Sequence, residues 1–365
     1  MFAADDLSSL RWDSTSGEVE IIDQTLLPHT LRWCHLLNLA DFCHAISSMQ
    51  VRGAPLIGIT AAYGLARALA EDASADNLQR ACQTLSATRP TAINLQWALD
   101  QVARAVEPLP VGQRAAAALD KAHALRAADI AVCERIGLHG AAQLPEASGD
   151  VLNIMTHCNA GWLATIQWGT ALAPVYQAQA QGRAVHVWVS ETRPRNQGMN
   201  LTAWELQRAG VPCTVVADNS CGLLMQQGRV DCVIVGSDRT AANGDVCNKV
   251  GTYLKALAAK AHSIPFYVAL PVSTIDWQCA SGADIPIEER GSDEVLSMLG
   301  RDAAGELLEV RLAAAGTMAA NPAFDVTPAA LVTRLITEEG VFPATTAGMA
   351  DLRSRIGWIY SSSPM

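Results

Sequence analysis

Three patterns of apolar and polar positions succeed one another along the chain. Residues 17–22 alternate apolar and polar side chains and lead into Leu26, Leu27 and Pro28, which predicts an antiparallel β opening over about residues 1–30. From Asp41 to Ala142 apolar residues, many of them alanine, recur at spacings of three and four, which predicts helices over 41–48, 54–71, 75–87, 92–106 and 112–140. Residues 143–150 (QLPEASGD) are short, polar and turn-rich, and mark a domain boundary. Beyond them the pattern changes again. Short β-branched runs at 151–156, 184–190, 212–217, 231–236 and 265–270 alternate with helical spacing at 161–177, 199–209, 219–227 and 249–262. Strands and helices in strict alternation build a parallel sheet covered on both faces by right-handed crossovers. Residues 271–330 carry Pro271, Pro286, Pro322 and Pro328 and are less regular; a last helix is expected over 328–338, before a tail ending in Ser361-Ser362-Ser363-Pro364. The expected fold is therefore α/β: a β rim and α-helical bundle over 1–146, then a parallel-sheet domain over 147–365.

Composition narrows the function classes. At 365 residues two domains are the natural expectation, and with half the residues hydrophobic a large core can be buried. Lys and Arg number 26 against 36 Asp and Glu, for a net charge of −10; this disfavours nucleic acid, whose phosphates need a clustered basic surface. A small phosphorylated ligand needs only two or three cations and stays open. The ten cysteines form no C-x-x-C pair, and the eight histidines no ligand cluster, so no metal site is expected. No apolar run approaches the ~18 residues that span a membrane, and the amino terminus has no apolar leader pattern. A soluble, cytoplasmic protein with reduced thiols is expected.

Candidate chemistry concentrates where the predicted strands end. The stretch from Asp231 to Thr252 runs from a buried β-branched strand into Gly236, then into Asp238, Asn243, Asp245, Asn248 and Lys249, and is expected to re-enter a helix at 249. Open α/β sheets bind ligands at such strand ends; an ordinary βα loop with capping residues has the same composition. Strand 151–156 ends in Thr156-His157-Cys158-Asn159, where a helix beginning at 161 would favour the Cys158 thiolate. His157 reads as structural. Strand 184–190 runs into Glu191-Thr192-Arg193-Pro194-Arg195-Asn196-Gln197, and strand 212–217 into Asp218-Asn219-Ser220, which capping alone explains. In the first domain two turns share one design, Arg then Pro then a helix: Arg52-Gly53-Ala54-Pro55 and Arg89-Pro90. An Arg beside a helix N-terminus is suited to an anion. If the sheet is doubly wound, Cys158, Gln197, Asp238, Asn248 and Lys249 share a crevice. Asp238, following a buried run, is expected to be partly desolvated and so a weaker, better-poised acid. One acid and one soft base among anion-binding groups suit a proton shift on a sugar phosphate. No strand is followed by G-x-G-x-x-G and no G-x-x-x-x-G-K-[ST] is present, so dinucleotide and nucleoside-triphosphate chemistry are not indicated.

Eight stretches carry a resemblance: VRGAPLIG (51–58), RPTAINLQWAL (89–99), THCNAGWLAT (156–165), ETRPRNQGMNLTAWEL (191–206), VGSDRTAANGDVCNKVGTY (235–253), IPFYVALPVSTID (264–276), IPIEER (285–290) and NPAFDVTP (321–328). Together they resemble the methylthioribose-1-phosphate isomerases of methionine salvage, within the superfamily that includes the regulatory subunits of translation initiation factor 2B. The likeness runs from about residue 20 to 340. It implies a Rossmann-like C-terminal domain behind a smaller N-terminal one, a homodimer, and conversion of 5-methylthioribose 1-phosphate to 5-methylthioribulose 1-phosphate without a cofactor. Carried over by motif, it makes Asp238 the proton donor and Cys158 the second catalytic group. Substrate contacts would be Arg52, Gly53, Ala54, Arg89, Gln197, Asn248 and Lys249. Ser237, Thr240 and Cys247 stand where that family usually has Ala, Ile and Ala, and Ser237 is placed to adjust the acidity of Asp238. Two alternatives stay open. One is an isomerase of a related sugar 1-phosphate (ribose 1,5-bisphosphate or 5-deoxyribose 1-phosphate); the bisphosphate needs a second phosphate site at C5 in place of an apolar pocket for a methylthio group, and Leu56, Trp162 and Met199 could line such a pocket or sit in the core. The other is a non-catalytic regulatory subunit of the translation-factor type, which has no chemical need for both Cys158 and Asp238.

Overall fold

In the computed structural model, residues 7–90 and 92–362 are described. Residues 1–6, Thr91 and residues 363–365 lie outside them, and with them part of the acidic opening, one residue of the second Arg-Pro turn and the end of the Ser-Pro tail. The chain divides into two compact units, 1–135 with 160–173, and 136–159 with 174–365.

The first unit opens with an antiparallel sheet in the order β1 (Leu10–Asp13), β2 (Glu18–Ile22), β3 (Trp33–Leu36). Four helices follow: α1 (Leu39–Ser47), α2 (Ala54–Glu71), α3 (Ala75–Thr88) and α4 (Ile93–Val106), and α5 (Val111–Gln143) runs on past the division at 135. Helix α1 starts with a reciprocal cap between Asn38 and Asp41, and α3 with Ser74. Helix α2 is buried on every side from Leu56 to Ala66, so it is the centre of the bundle rather than a face of it. Small residues let its neighbours close in: a Cβ on Gly58 would lie 2.7 Å from the Asn94 carbonyl oxygen of α4, and one on Gly64 2.9 Å from Phe42 of α1.

The second unit is built on a seven-stranded sheet. Its strands are β4 (Leu152–Thr156), β5 (Val185–Ser190), β6 (Cys213–Val216), β7 (Cys232–Val235), β10 (Phe266–Ala269), β15 (Arg334–Thr337) and β16 (Gly340–Phe342). The order is β16-β15-β10-β7-β4-β5-β6, all parallel but for β16. Strands β7 (CVIV) and β10 (FYVA) are buried at every residue, as strands covered on both faces must be. The helices α6 (Ala173–Ala180), α7 (Ala203–Arg208), α8 (Cys221–Gln226) and α9 (Thr252–Ala261) connect them. From β4 the chain builds outward through β5 and β6, then returns to β4's other side as β7 and builds outward through β10 and β15. The topological switch point therefore lies between β4 and β7. A smaller sheet, β11 (Ile275–Asp276), β8 (Arg239–Ala241), β9 (Val246–Lys249), β14 (Phe324–Thr327), sits beyond the end of β7. A short α10 (Asp293–Leu296), the exposed hairpin β12 (Ser297–Arg301) with β13 (Leu307–Arg311), and α11 (Thr346–Ser362) complete the unit.

The structure departs from the sequence expectation in four places. Residues 161–177 are not one helix. A short 3-10 turn, Trp162–Ala164, is followed by irregular chain up to α6, with Trp168 and Gly169 at positive φ. Trp162, Leu163, Ile166 and Leu172 are buried all the same, so their spacing marked burial, not helix. Residues 328–338 are a 3-10 turn and then strand β15, whose Leu335 and Ile336 pair with β10. Residues 346–362, within the expected tail, form the helix α11. Finally, the division falls inside α5 at 135/136 rather than at 146/147, and residues 160–173 group with the first unit. None of the helices among the described residues is long and apolar enough to cross a membrane.

Candidate active site

The two strands that flank the switch point deliver the two candidate catalytic groups. Cys158 follows β4. Asp238 follows β7 after Gly236 and Ser237. Each is held differently.

Cys158 is half-buried, and its backbone is in the left-handed region at φ 62°. For a residue with a Cβ that conformation persists only where neighbours enforce it. Here its N–H donates to Thr192 Oγ1 at 2.8 Å, and its carbonyl accepts from Thr202 Oγ1 at 2.6 Å. Thr192 is itself at φ 69° and Asn196 at 54°, so three strained residues belong to two facing loops. No helix begins at 161, so the expected help from a helix N-terminus at Cys158 is absent. The next residue, Asn159, donates to Glu205, a fully buried carboxylate that also accepts from Tyr176. Beneath lies His157, 1 % exposed, with Nε2 donating to the Val250 carbonyl at 2.8 Å. Burial, with Lys255 nearby, holds its pKa down to about 3, so it is a neutral structural imidazole.

Asp238 is exposed, and here the structure corrects the sequence expectation of a partly desolvated carboxyl. Burial along β7 ends with Gly236. The chain then turns outward to pair β8 with β9, and the Asp238 N–H donates to the Cys247 carbonyl. The β8–β9 connection is a tight turn, with Gly244 at φ 91° and Asn243 bonded to Asp245. Asp245 is no cap. Its carboxylate accepts from Gly282 N at 3.0 Å and Ala329 N at 2.8 Å, tying together three loops. The Ser237 hydroxyl lies 2.9 Å from Thr240 Oγ1. Arg239 pairs with Asp276.

Asn248 and Lys249 are the last two residues of β9, not the mouth of a helix: α9 begins at Thr252. Both are buried, Lys249 to 6 % exposure. Its Nζ donates to the Ala323 carbonyl at 2.7 Å and stands 4.5 Å from the centre of the Phe324 ring. Burial lowers its pKa, and Arg290 pushes the same way, while Cys158, Asp238 and Glu294 favour the ammonium. One buried cation is therefore within electrostatic reach of both candidate catalytic groups. Asn248 Nδ2 donates to Thr252 Oγ1 at 3.0 Å. Gln197 is 7 % exposed, and its buried Oε1 has no hydrogen-bond partner among the described residues, an arrangement costly in a finished core and useful in a ligand site. The structure thus brings Cys158, Gln197, Asp238, Asn248 and Lys249 to the carboxyl edge of one sheet.

The remaining candidates lie in the first unit. Gly53 precedes α2 at φ 91°, and a Cβ there would come within 2.3 Å of the Ala164 carbonyl oxygen, so only glycine fits. Pro55 occupies the first turn, no side chain among the described residues caps the helix, and Arg52 and Ala54 flank the turn. Arg89 caps the end of α3, three residues before Ala92, the N-cap of α4, which also makes no side-chain capping bond among the described residues. Because Gly58 lies against Asn94, the N-terminal turns of α2 and α4 meet. Leu56 and Trp162 are core residues, and Met199 is 39 % exposed.

Several polar groups at this edge have roles that the sequence pattern does not assign. Arg290, at the end of the IPIEER stretch, sits over the same Phe324 ring as Lys249 and bonds Glu288. Arg195 pairs with Glu294 at 2.8 Å, and Arg193 donates to the Val295 carbonyl, so both arginines fasten their loop. Asp218 was read as a cap; its carboxylate instead holds the neighbouring loop, accepting from Thr192 N at 2.8 Å, Arg193 N at 2.7 Å and the Ser190 hydroxyl. Only a map of strand neighbours could have revealed that, since residues 190 and 218 are brought together by the β5–β6 pairing.

Comparison with known proteins agrees on one family. The model of the initiation factor 2 subunit family matches residues 50–344. Methylthioribose-1-phosphate isomerase of Rhodospirillum rubrum is 57 % identical over 346 residues, covering 92 % of this chain and 89 % of the relative. The enzyme of that name from Methylorubrum populi is 58 % identical, covering 93 % and 94 %. The crystal structure of 5-methylthioribose 1-phosphate isomerase from Pyrococcus horikoshii aligns with a TM-score of 0.85 at 37 % identity, over 97 % of this chain and 98 % of that one. The delta subunit of translation initiation factor eIF-2B from A. fulgidus aligns at 0.79 and 39 %, over 92 % and 96 %.

Proposed function

This chain belongs to the initiation factor 2 subunit family, and we propose that within it the protein is the aldose–ketose isomerase that converts 5-methylthioribose 1-phosphate to 5-methylthioribulose 1-phosphate in methionine salvage. It works as a cytoplasmic homodimer. The observation that carries the reading is the placement of a thiol and a carboxyl on the two strands flanking the switch point, with one buried ammonium in reach of both. Relatives named for this reaction, 57 % and 58 % identical over nearly the whole chain, support it.

The chemistry accounts for the residue types. The substrate's phosphate occupies the anomeric carbon, so the ring cannot open to a free aldehyde. An acid must protonate the departing ring oxygen, and the hydrogen at C2 must move to C1. Asp238 is the acid. Exposed in the free chain, it gains its desolvation when substrate covers this edge. As the C1–O bond of the ring breaks, Cys158 removes the C2 proton to give the enediol phosphate and returns a proton to C1, while the C2 hydroxyl proton goes back to the Asp238 carboxylate. The step moves only protons and balances without a redox partner. Lys249, Asn248 and Gln197 bind the phosphate and sugar oxygens. Turnover of 5-methylthioribose 1-phosphate by the purified protein, at least about tenfold above that of ribose 1,5-bisphosphate or 5-deoxyribose 1-phosphate in kcat/KM, is the expected result. Turnover of none of the three would favour a regulatory subunit and overturn the reading. In heavy water, deuterium should enter at C1; complete retention of the C2 hydrogen would replace the enediol with a hydride shift.

A further inference from the structure

We infer that Asp218 and Thr192 form a positioning relay that sets the backbone of Cys158 and the loop bearing Gln197. The inference rests on the catalytic reading of Cys158 given above. Asp218 follows β6 by two residues and starts a 3-10 turn. Its carboxylate gathers the Ser190 hydroxyl and the N–H groups of Thr192 and Arg193. Those hydrogen bonds, with Lys255 4.0 Å away, keep it ionised although it is largely out of water. Thr192 is fully buried and strained at φ 69°. Its hydroxyl donates to the Ser190 carbonyl at 2.9 Å, which turns the oxygen's lone pairs toward the Cys158 N–H at 2.8 Å.

The same loop is folded tightly on itself. Asn196 N–H donates to the Thr192 carbonyl at 2.8 Å, and a Cβ on Gly198 would fall 1.8 Å from the Ser190 carbonyl oxygen. Fixing residues 190–193 therefore fixes Gln197 four residues on. A single half-buried anion thus over-determines two left-handed residues, Thr192 directly and Cys158 through it. This is how a strained conformation is kept at a site rather than relaxing. Neither residue touches the reacting atoms; each acts through another.

Thr192→Val keeps the shape and removes the hydroxyl, and Thr192→Ser keeps the hydroxyl. The expected result is a fall in kcat of about tenfold or more for Thr192→Val, with KM within about threefold, and recovery in Thr192→Ser, since a misplaced group costs rate before it costs binding. Asp218→Asn, which sets an amide NH2 among N–H donors, should lower kcat as Thr192→Val does. A readout independent of turnover is the alkylation rate of Cys158 by iodoacetamide, followed on the Cys158 peptide by mass spectrometry. It should change at least about threefold in Thr192→Val and Asp218→Asn, and stay at the parent value in Thr192→Ser. Unchanged kcat and unchanged alkylation in a folded Thr192→Val would overturn the relay. So would equal losses in Thr192→Val and Thr192→Ser, which mark a merely structural role. If the unmodified protein does not isomerise the substrate, the functional reading fails, and the alkylation comparison alone decides the relay.

Discussion

The ends of β4 and β7 lie side by side on the sheet yet hold their chemistry in opposite ways. Cys158 is half-buried and strained, and hydrogen bonds engage both its N–H and its carbonyl. Asp238 is exposed, past the last buried residue of its strand. A thiol that must meet one carbon needs a fixed position, and the loops around it supply that. A carboxyl that must deliver a proton to a ring oxygen needs the right acidity, which the free chain does not give it by burial. In the proposed reaction, the thiol's environment is built in advance and the acid's is completed when substrate binds.

The largest expected effect tests the acid. Asp238→Asn should lower kcat by about a thousandfold with KM nearly unchanged, in steady-state kinetics, because it deletes a proton delivered in the transition state. If KM rises and kcat stays, Asp238 binds rather than donates, and the contrast fails. Next comes Cys158→Ser, expected to lose about a hundredfold in kcat; full turnover in this variant would remove the thiol from the reaction. A smaller effect concerns the ground beneath Cys158. His157 in the folded protein titrates at about 3, well below the ordinary imidazole. The unfolded chain takes up that proton as pH falls below about 6.5, and the folded one does not until near 3. Stability is therefore lost between those values as pH falls, by up to about 1.4 kcal/mol per pH unit for one proton. Urea denaturation across that window should show a shallower pH dependence in His157→Asn than in the parent. The smallest effect is Ser237→Ala. Its hydroxyl is engaged with Thr240, so the pH profile of kcat should not move by more than a few tenths of a unit; a larger shift would show that the serine tunes Asp238 after all.

Sequence alone determined the helices of the first unit to within a few residues, because long apolar periodicity is a local signal. It also determined the first five parallel strands, and which residue types end them. Short-range pattern did not separate burial from conformation. The run 161–172 is apolar because it is buried, yet positive φ at Trp168 and Gly169 and the contact between Gly169 and Gly161 prevent a helix. Strand β15 was taken for helix because only its partner β10, more than sixty residues away, makes it a strand. At the site, the sequence named the candidate residues, and tertiary structure decided their condition. Asp238 became exposed because β8 pairs with β9, and Lys249 became a buried strand-end cation because β9 pairs with β14. Cys158 was placed by Thr192 and Asp218, residues that only the β4–β5–β6 pairing brings near it. Burial and strain are properties of neighbours, and neighbours distant in the chain are what a linear pattern leaves open.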